Sequence, residues 1–196
     1  MTNRPAAGKA FDFAGYHGEM AESLRPVDAE EMVESLVHPS TTGDTLHWGR
    51  NYLYGAHVAT DRGDAEVVVK QFRNQGPRRR WERRRKGSKA ERSWRAALAV
   101  MEAGVATPEP LVWIESRLPE GPSFFVSRRL DDFLEARYYF RALEAGSEKE
   151  SYPHLEPERV LAEIGRTIRR LHDAGIWHRD LSIGNVLLVG RRDEGP

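Results

Sequence analysis

The chain has 196 residues, enough for one sizeable domain or two small lobes, and at 39% hydrophobic with 9% aromatic it carries the apolar mass of a core. Thirty basic and thirty acidic residues cancel, so no global field selects a polyanion, and nucleic acid is not the expected partner. The absence of cysteine excludes a disulfide framework and points to a reducing compartment. Residues 1–9 lack the apolar centre of a secretion signal, and no run of about eighteen apolar residues occurs, so a cytoplasmic protein without a membrane span is expected.

Taken in chain order, residues 1–44 read as a polar N-terminal extension with a helical piece at 29–37. Leu46-His47-Trp48 and Tyr52-Leu53-Tyr54 read as two strands around the turn Gly49-Arg50-Asn51. The β-branched run Val67-Val68-Val69 is a third strand, ending on Lys70. Arg78, Arg79, Arg80, Arg83, Arg84, Arg85, Lys86, Lys89 and Arg92 then crowd one segment, opposed locally by Glu82 and Glu91. Such a block is either a solvated loop or a platform for an anionic membrane surface or a phosphorylated glycolipid.

Residues 88–102 place Ala90, Trp94, Ala97, Leu98 and Met101 on one helical face, with Gly104 closing the helix. Strands are expected at 111–114 and 123–128, separated by the turn Leu118-Pro119-Glu120-Gly121-Pro122. Residues 131–145 are expected to be helical and 146–157 a polar loop. Residues 158–172 carry Leu161, Ile164, Ile168 and Leu171 at steps of three and four, the buried stripe of an amphipathic helix, which Gly175 ends.

The chemistry is concentrated in His178-Arg179-Asp180-Leu181-Ser182-Ile183-Gly184-Asn185, followed by the apolar run Val186-Leu187-Leu188-Val189. This stretch resembles the kinase catalytic loop H-R-D-L-x-x-x-N at each fixed position. Phosphoryl transfer requires a carboxylate to take the acceptor's proton and cations to neutralise developing charge. The resemblance implies that Asp180 has the first role and Asn185 is an oxygen ligand for Mg²⁺, with His178 and Arg179 bracing the loop. Lys70 has the form of the strand lysine that reaches the nucleotide phosphates. Gly49, Arg50 and Asn51 are the candidates for covering them, although a kinase-type G-x-G-x-x-G-x-V loop is not present. Glu91 is the carboxylate partner of Lys70 by distance along the chain. Ser88-Lys89-Ala90-Glu91 is also a capping-box spacing in which Glu91 serves the helix N-terminus instead, and the alternatives are Glu102 or no partner at all.

Lys70, the segment from Ser88 to Trp94, Gly104-Val105-Ala106-Thr107-Pro108-Glu109-Pro110 and the Asp180 loop together resemble the bacterial lipopolysaccharide-core heptose and Kdo (3-deoxy-manno-octulosonic acid) kinases over residues 45–190. The resemblance implies an α+β, protein-kinase-like fold of two lobes, ATP with Mg²⁺, and a sugar hydroxyl on a membrane glycolipid as acceptor. In those relatives a Glu often stands where this chain has Ser93. Ser182 replaces the lysine that protein kinases carry two residues after the catalytic Asp, which disfavours a protein substrate. The expected division is an extension at 1–44, an N-lobe at 45–128 and a partial C-lobe at 129–196, with the hinge at 127–130. The chain reaches Pro196 before a D-F-G-type aspartate, so the C-lobe reads as truncated and this form is expected to have little activity, Asp193 and Glu194 being poor substitutes. The alternative is a kinase-fold nucleotide-binding or regulatory protein without turnover, with an antibiotic- or protein-directed kinase third. A peripheral position at the inner face of the membrane, through residues 78–92, accompanies the glycolipid reading.

Overall fold

Asp28 opens the first helix, α1 (Ala29–Val37), because its carboxylate accepts the backbone N–H groups of Glu30 at 2.8 Å and Glu31 at 3.0 Å that no helical carbonyl can reach. One face of α1, formed by Met32, Val33, Leu36 and Val37, is buried. The surface it covers is a seven-stranded antiparallel sheet in the computed structural model, which describes residues 8–38, 45–48 (backbone alone), 52–73, 81, 83, 85–178 and 180–189. Its strands are β1 (Lys9–Phe13), β2 (Tyr16–Met20), β3 (Thr45–Trp48), β4 (Tyr52–Thr60), β5 (Gly63–Phe72), β6 (Pro110–Ser116) and β7 (Ser123–Arg128). They lie in the order β1-β2-β6-β7-β5-β4-β3. The sheet and α1 belong to a compact unit made of residues 1–102 and 106–129, and residues 103–105 and 130–196 form a second unit.

The N-terminal segment is not an extension. Phe13 pairs with Tyr16, so the two-residue turn Ala14-Gly15 closes a hairpin, and both turn residues have positive φ, 52° and 76°, the twist that antiparallel strands require. Alanine in the left-handed region is uncommon, which is why this turn does not announce itself as Asn-Gly would. The β2 strand then pairs along β6, with Gly18 opposite Ile114. A Cβ at position 18 would fall 1.9 Å from the Trp113 carbonyl oxygen, so only glycine lets the hairpin lie this close.

Alternation along the strands gives the sheet two apolar faces. Val67 and Val69 of β5, Val112 and Ile114 of β6, and Phe124 and Val126 of β7 form the α1 side, together with Tyr54, whose hydroxyl donates to the Leu36 carbonyl. Burial pushes the Tyr54 phenol well above its ordinary pKa, with Tyr52 and Tyr16 adding to the shift, so it stays a neutral donor. The other face carries Phe72 and Trp113, covered by Ala90 and Trp94 of α2 (Lys89–Glu102). Burying large apolar side chains of this kind contributes about 1.5–3 kcal/mol each. The expected α2 stripe is shortened: Leu98 is half-buried and Met101 is exposed, so its first two turns carry the buried contacts. Gly104 follows at a φ of +69°.

Arg83, one member of the basic block, is turned inward. Its Nε donates to the Glu115 carboxylate, Nη2 to the Ser116 carbonyl at 2.7 Å, and Nη1 to the carbonyls of Leu118 and Pro119, each at 3.1 Å. Glu115 is buried on β6, and its charge is thereby matched.

In the second unit, the helix expected over 131–145 begins as a strand. Here β8 (Phe133–Glu135) pairs antiparallel with β9 (Leu187–Val189), and only then does α3 (Ala136–Glu144) start. The pairing partner lies some fifty residues away, beyond the reach of local periodicity. Tyr139 of α3 is fully buried and donates to the Leu155 carbonyl at 3.1 Å. A short helix, α4 (Glu148–Ser151), interrupts the expected polar loop. The long helix α5 (Pro157–Asp173) starts with Pro157 in its first turn, where the missing N–H costs nothing. Its inward stripe is Val160 and Leu171, both buried, with Ile164 and Ile168 half-buried between them, rather than one begun at Leu161, which is exposed. At about 100° per residue those four share roughly 80° of arc, and Leu161 lies outside it. Among the described residues no helix is long and apolar enough to cross a membrane.

Two stability predictions follow from the first unit. Arg83→Ala leaves the Glu115 carboxylate buried without its partner and should lower unfolding free energy by about 3 kcal/mol, with Arg83→Lys recovering little because one ammonium cannot reach four acceptors; urea denaturation measures both. Glu109 accepts from the Ser23 hydroxyl at 2.7 Å and Arg128 Nε at 2.8 Å. Burial by itself raises its pKa, and these two bonds with the Arg128 charge outweigh it and hold the carboxyl below its ordinary value of 4.5. The stability it contributes is complete above that value and is lost as pH falls through the lower folded value. Glu109→Gln should therefore flatten the acid limb of the stability profile below about pH 4.5 and leave its slope near neutrality unchanged, as read from urea midpoints across pH.

Candidate active site

The catalytic-loop segment begins where α5 is stopped. Gly175 has a φ of +71°, its N–H donates to the His172 carbonyl at 2.9 Å, and the Ile176 N–H donates to the Leu171 carbonyl at 2.8 Å. This pair of bonds is a Schellman closure, and it turns the chain out of the helix at a fixed angle. Trp177 follows, largely exposed, its ring stacked on His172 at 5.0 Å between centroids. His178 is exposed, and Arg179 lies outside the described residues.

Beyond it the backbone carbonyl of Asp180 acts as a hub. It accepts the Ser182 N–H at 3.0 Å and the side-chain Nδ2 of Asn185 at 2.7 Å. The Asn185 N–H donates to the Ser182 carbonyl at 2.9 Å, closing the 3₁₀ turn Ile183–Asn185. Five residues of separation are thus folded into one small loop, with the Asn185 amide nitrogen committed inside it and Oδ1 as the atom able to ligate. Asp180 is exposed. The far end of the loop is held by the β8–β9 pairing and by the Ala136 N–H, which donates to the Val186 carbonyl at 2.9 Å.

Lys70 and Glu91 belong to the first unit. Lys70 stands on β5 opposite Leu53 and Phe125, on the sheet face that carries Phe72 and α2, with Nζ 5.6 Å from the centre of the Phe72 ring. The Glu91 N–H donates to Ser88 Oγ at 3.1 Å, the first half of a capping box, and its carboxylate is ion-paired with Arg95 at 2.5 Å. Among the described residues no ion pair joins Lys70 to Glu91. Gly49, Arg50 and Asn51 lie outside the described residues, as do Asp193 and Glu194; the strands on either side of the first three pair at Trp48 and Tyr52.

Among the described residues no group of three or more His, Asp or Glu side chains could hold a metal ion. The donors of the loop are nevertheless hard oxygens, the Asn185 amide and the Asp180 carboxylate. That set suits Mg²⁺, which keeps several waters and is held by one or two side chains together with nucleotide phosphates rather than by an all-protein cage. Two residues in contact with this loop, Glu135 and Arg137, had no signal in the sequence, since they approach it from β8 and α3.

A protein-family model described as the lipopolysaccharide kinase (Kdo/WaaP) family matches residues 50–195. No curated protein and no solved structure matches the chain.

Proposed function

Because the chain belongs to the lipopolysaccharide kinase (Kdo/WaaP) family, we propose that it transfers the γ-phosphoryl group of ATP to a sugar hydroxyl of lipopolysaccharide or a related glycolipid. The observation that carries this reading is the closed loop in which Asn185 Nδ2 bonds the Asp180 carbonyl at 2.7 Å and leaves a carboxylate and an amide oxygen at its surface.

In the proposed reaction Asp180 accepts the proton of the acceptor hydroxyl as its oxygen forms a bond to the γ-phosphorus. The bond from that phosphorus to the β-bridging oxygen breaks, and ADP leaves. Mg²⁺, when bound, supplies charge neutralisation for the phosphates, with Asn185 Oδ1 as its ligand from this loop. Lys70 contributes a positive charge to the α- and β-phosphates, and Gly49, Arg50 and Asn51 are the candidates for covering them. Lys70 Nζ lies 5.6 Å from the centre of the Phe72 ring, a cation–π contact that steadies the side chain on this face of the sheet.

The acceptor class makes an anionic membrane surface the natural working place, and the basic segment supports contact with it. With Arg83 directed inward, Trp81 is 57% exposed and Arg85 lies 5.0 Å from the centre of its ring. An exposed Trp among basic residues suits a lipid interface.

Asp180→Asn should abolish phosphoryl transfer to a glycolipid acceptor while leaving nucleotide affinity within a few fold, because the proton acceptor is lost and little phosphate-binding charge is. Lys70→Ala should weaken nucleotide binding, and Lys86→Ala, an exposed control, should not. Turnover by Asp180→Asn near the wild-type rate would sink the assignment. For the membrane contact, sedimentation with vesicles containing phosphatidylglycerol should retain the protein and neutral vesicles should not. Arg85→Ala should weaken retention about fivefold, the equivalent of about 1 kcal/mol for one basic side chain.

A further inference from the structure

Gly184 sits inside the catalytic loop with no left-handed φ, so its backbone conformation does not call for glycine. What the missing side chain makes room for is Arg137. A Cβ at position 184 would fall 2.0 Å from Arg137 Nη2, 2.6 Å from Cζ and 2.9 Å from Nε. The guanidinium plane therefore occupies the space a side chain would take.

Arg137 is held in this place from its other side. Its Nε forms an ion pair with the Glu135 carboxylate at 2.6 Å. Glu135 is the last residue of β8 and is paired in register with Leu187 of β9, the second residue after Asn185. Between them the Ala136 N–H bonds the Val186 carbonyl. Three consecutive residues, Glu135, Ala136 and Arg137, thus grip residues 184–187, immediately behind the amide of Asn185.

We propose that Arg137 is a positioning residue of the catalytic loop: resting on Gly184 and steadied by Glu135, it fixes the Ile183–Asn185 turn so that Asn185 keeps Nδ2 on the Asp180 carbonyl and Oδ1 directed outward. The proposal rests on the phosphotransfer reading of that loop. Arg137 acts through Asn185, and its effect is therefore on metal use and turnover rather than on acceptor affinity. Its own side chain is 44% exposed, whereas its partner atom, Glu135 Oε2, is buried. Arg137→Ala therefore also leaves that oxygen without its counter-charge, and urea denaturation is run on each variant to separate a loss of stability from a loosened loop. The substitution Gly184→Ala tests the same contact from the loop's side, because the new methyl must displace the flexible end of Arg137.

The experiment compares wild type with Arg137→Ala, Arg137→Lys, Gly184→Ala and the Arg137→Ala/Gly184→Ala double variant. The first readout is backbone hydrogen exchange at Asn185 and Ala136, which needs neither nucleotide nor turnover. Exchange at both amides should rise about tenfold or more in Arg137→Ala and Gly184→Ala. The double variant should resemble either single one, because both remove one contact. The second readout is kinetic: kcat falls ten- to a hundredfold or so and the Mg²⁺ concentration for half-maximal rate rises, with acceptor KM unchanged and Arg137→Lys recovering part of the loss. Wild-type exchange in Arg137→Ala would overturn the proposal whatever the kinetics. A raised acceptor KM with unchanged Mg²⁺ dependence would also overturn it, making Arg137 a substrate-binding group. Failure of the kinase reading itself would show separately, as turnover by Asp180→Asn, while the exchange measurement still decides whether Arg137 orders the loop. If Gly184→Ala proves unfolded by circular dichroism, Arg137→Gln, which keeps the length of the side chain, decides between the same outcomes.

Discussion

All seven residues of β6 are buried, and the organisation of the first unit follows from that one constraint. A strand covered on both faces and both edges needs neighbours on each: β2 supplies one edge and β7 the other, α1 closes one face, and Ala90 and Trp94 of α2 close the other. Backbone polar groups at such depth have no access to water and must be satisfied in the ladder. The N-terminal hairpin is accordingly part of the sheet, and the absence of a side chain at Gly18 is what admits it. The same constraint explains Arg83. Glu115 sits on β6, and a carboxylate there is tolerated only because a guanidinium is delivered to it with its other donors already matched to carbonyls.

In the second unit the corresponding economy is of hydrogen bonds rather than of apolar area. The Asp180 carbonyl takes two donors, one from the backbone and one from the Asn185 side chain, and this shared acceptor ties Asp180 to Asn185, the two residues to which the proposed reaction gives its proton acceptor and its metal ligand. A short loop with exposed side chains would not keep that geometry by itself. It is bounded by a Schellman closure at Gly175 and by the β8–β9 ladder, so both of its ends are set by regular structure. Functional groups on a loop gain their precision from such rigid flanks.

The basic segment shows how composition can mislead when one charge is structural. Nine basic residues between 78 and 92 suggest a uniformly solvated block, yet Arg83 is spent inside the fold and Arg85 lies over Trp81. Among the described residues of this segment, one guanidinium is thus matched inside the fold and another is placed by an aromatic ring.

Where local chemistry decides the outcome, the sequence by itself was sufficient. The helical piece at 29–37, the α2 span after Ser88, the glycine stops at 104 and 175, the strand segments at 52–54, 67–70, 111–114 and 123–128, and the Asp180–Asn185 loop all follow from residue type at short separation, because a turn or an amphipathic period involves neighbours a few residues apart. The family match over residues 50–195 rests on the same kind of signal. Tertiary structure decided what depends on partners far along the chain. It made the β1–β2 hairpin an edge of the sheet, turned Phe133–Glu135 from the start of a helix into a strand, moved the stripe of α5 from Leu161 to Val160, and set Arg137 against Gly184. Each of these exchanges a local preference for a pairing or a buried contact between residues distant in sequence, and no periodicity read along the chain contains that term.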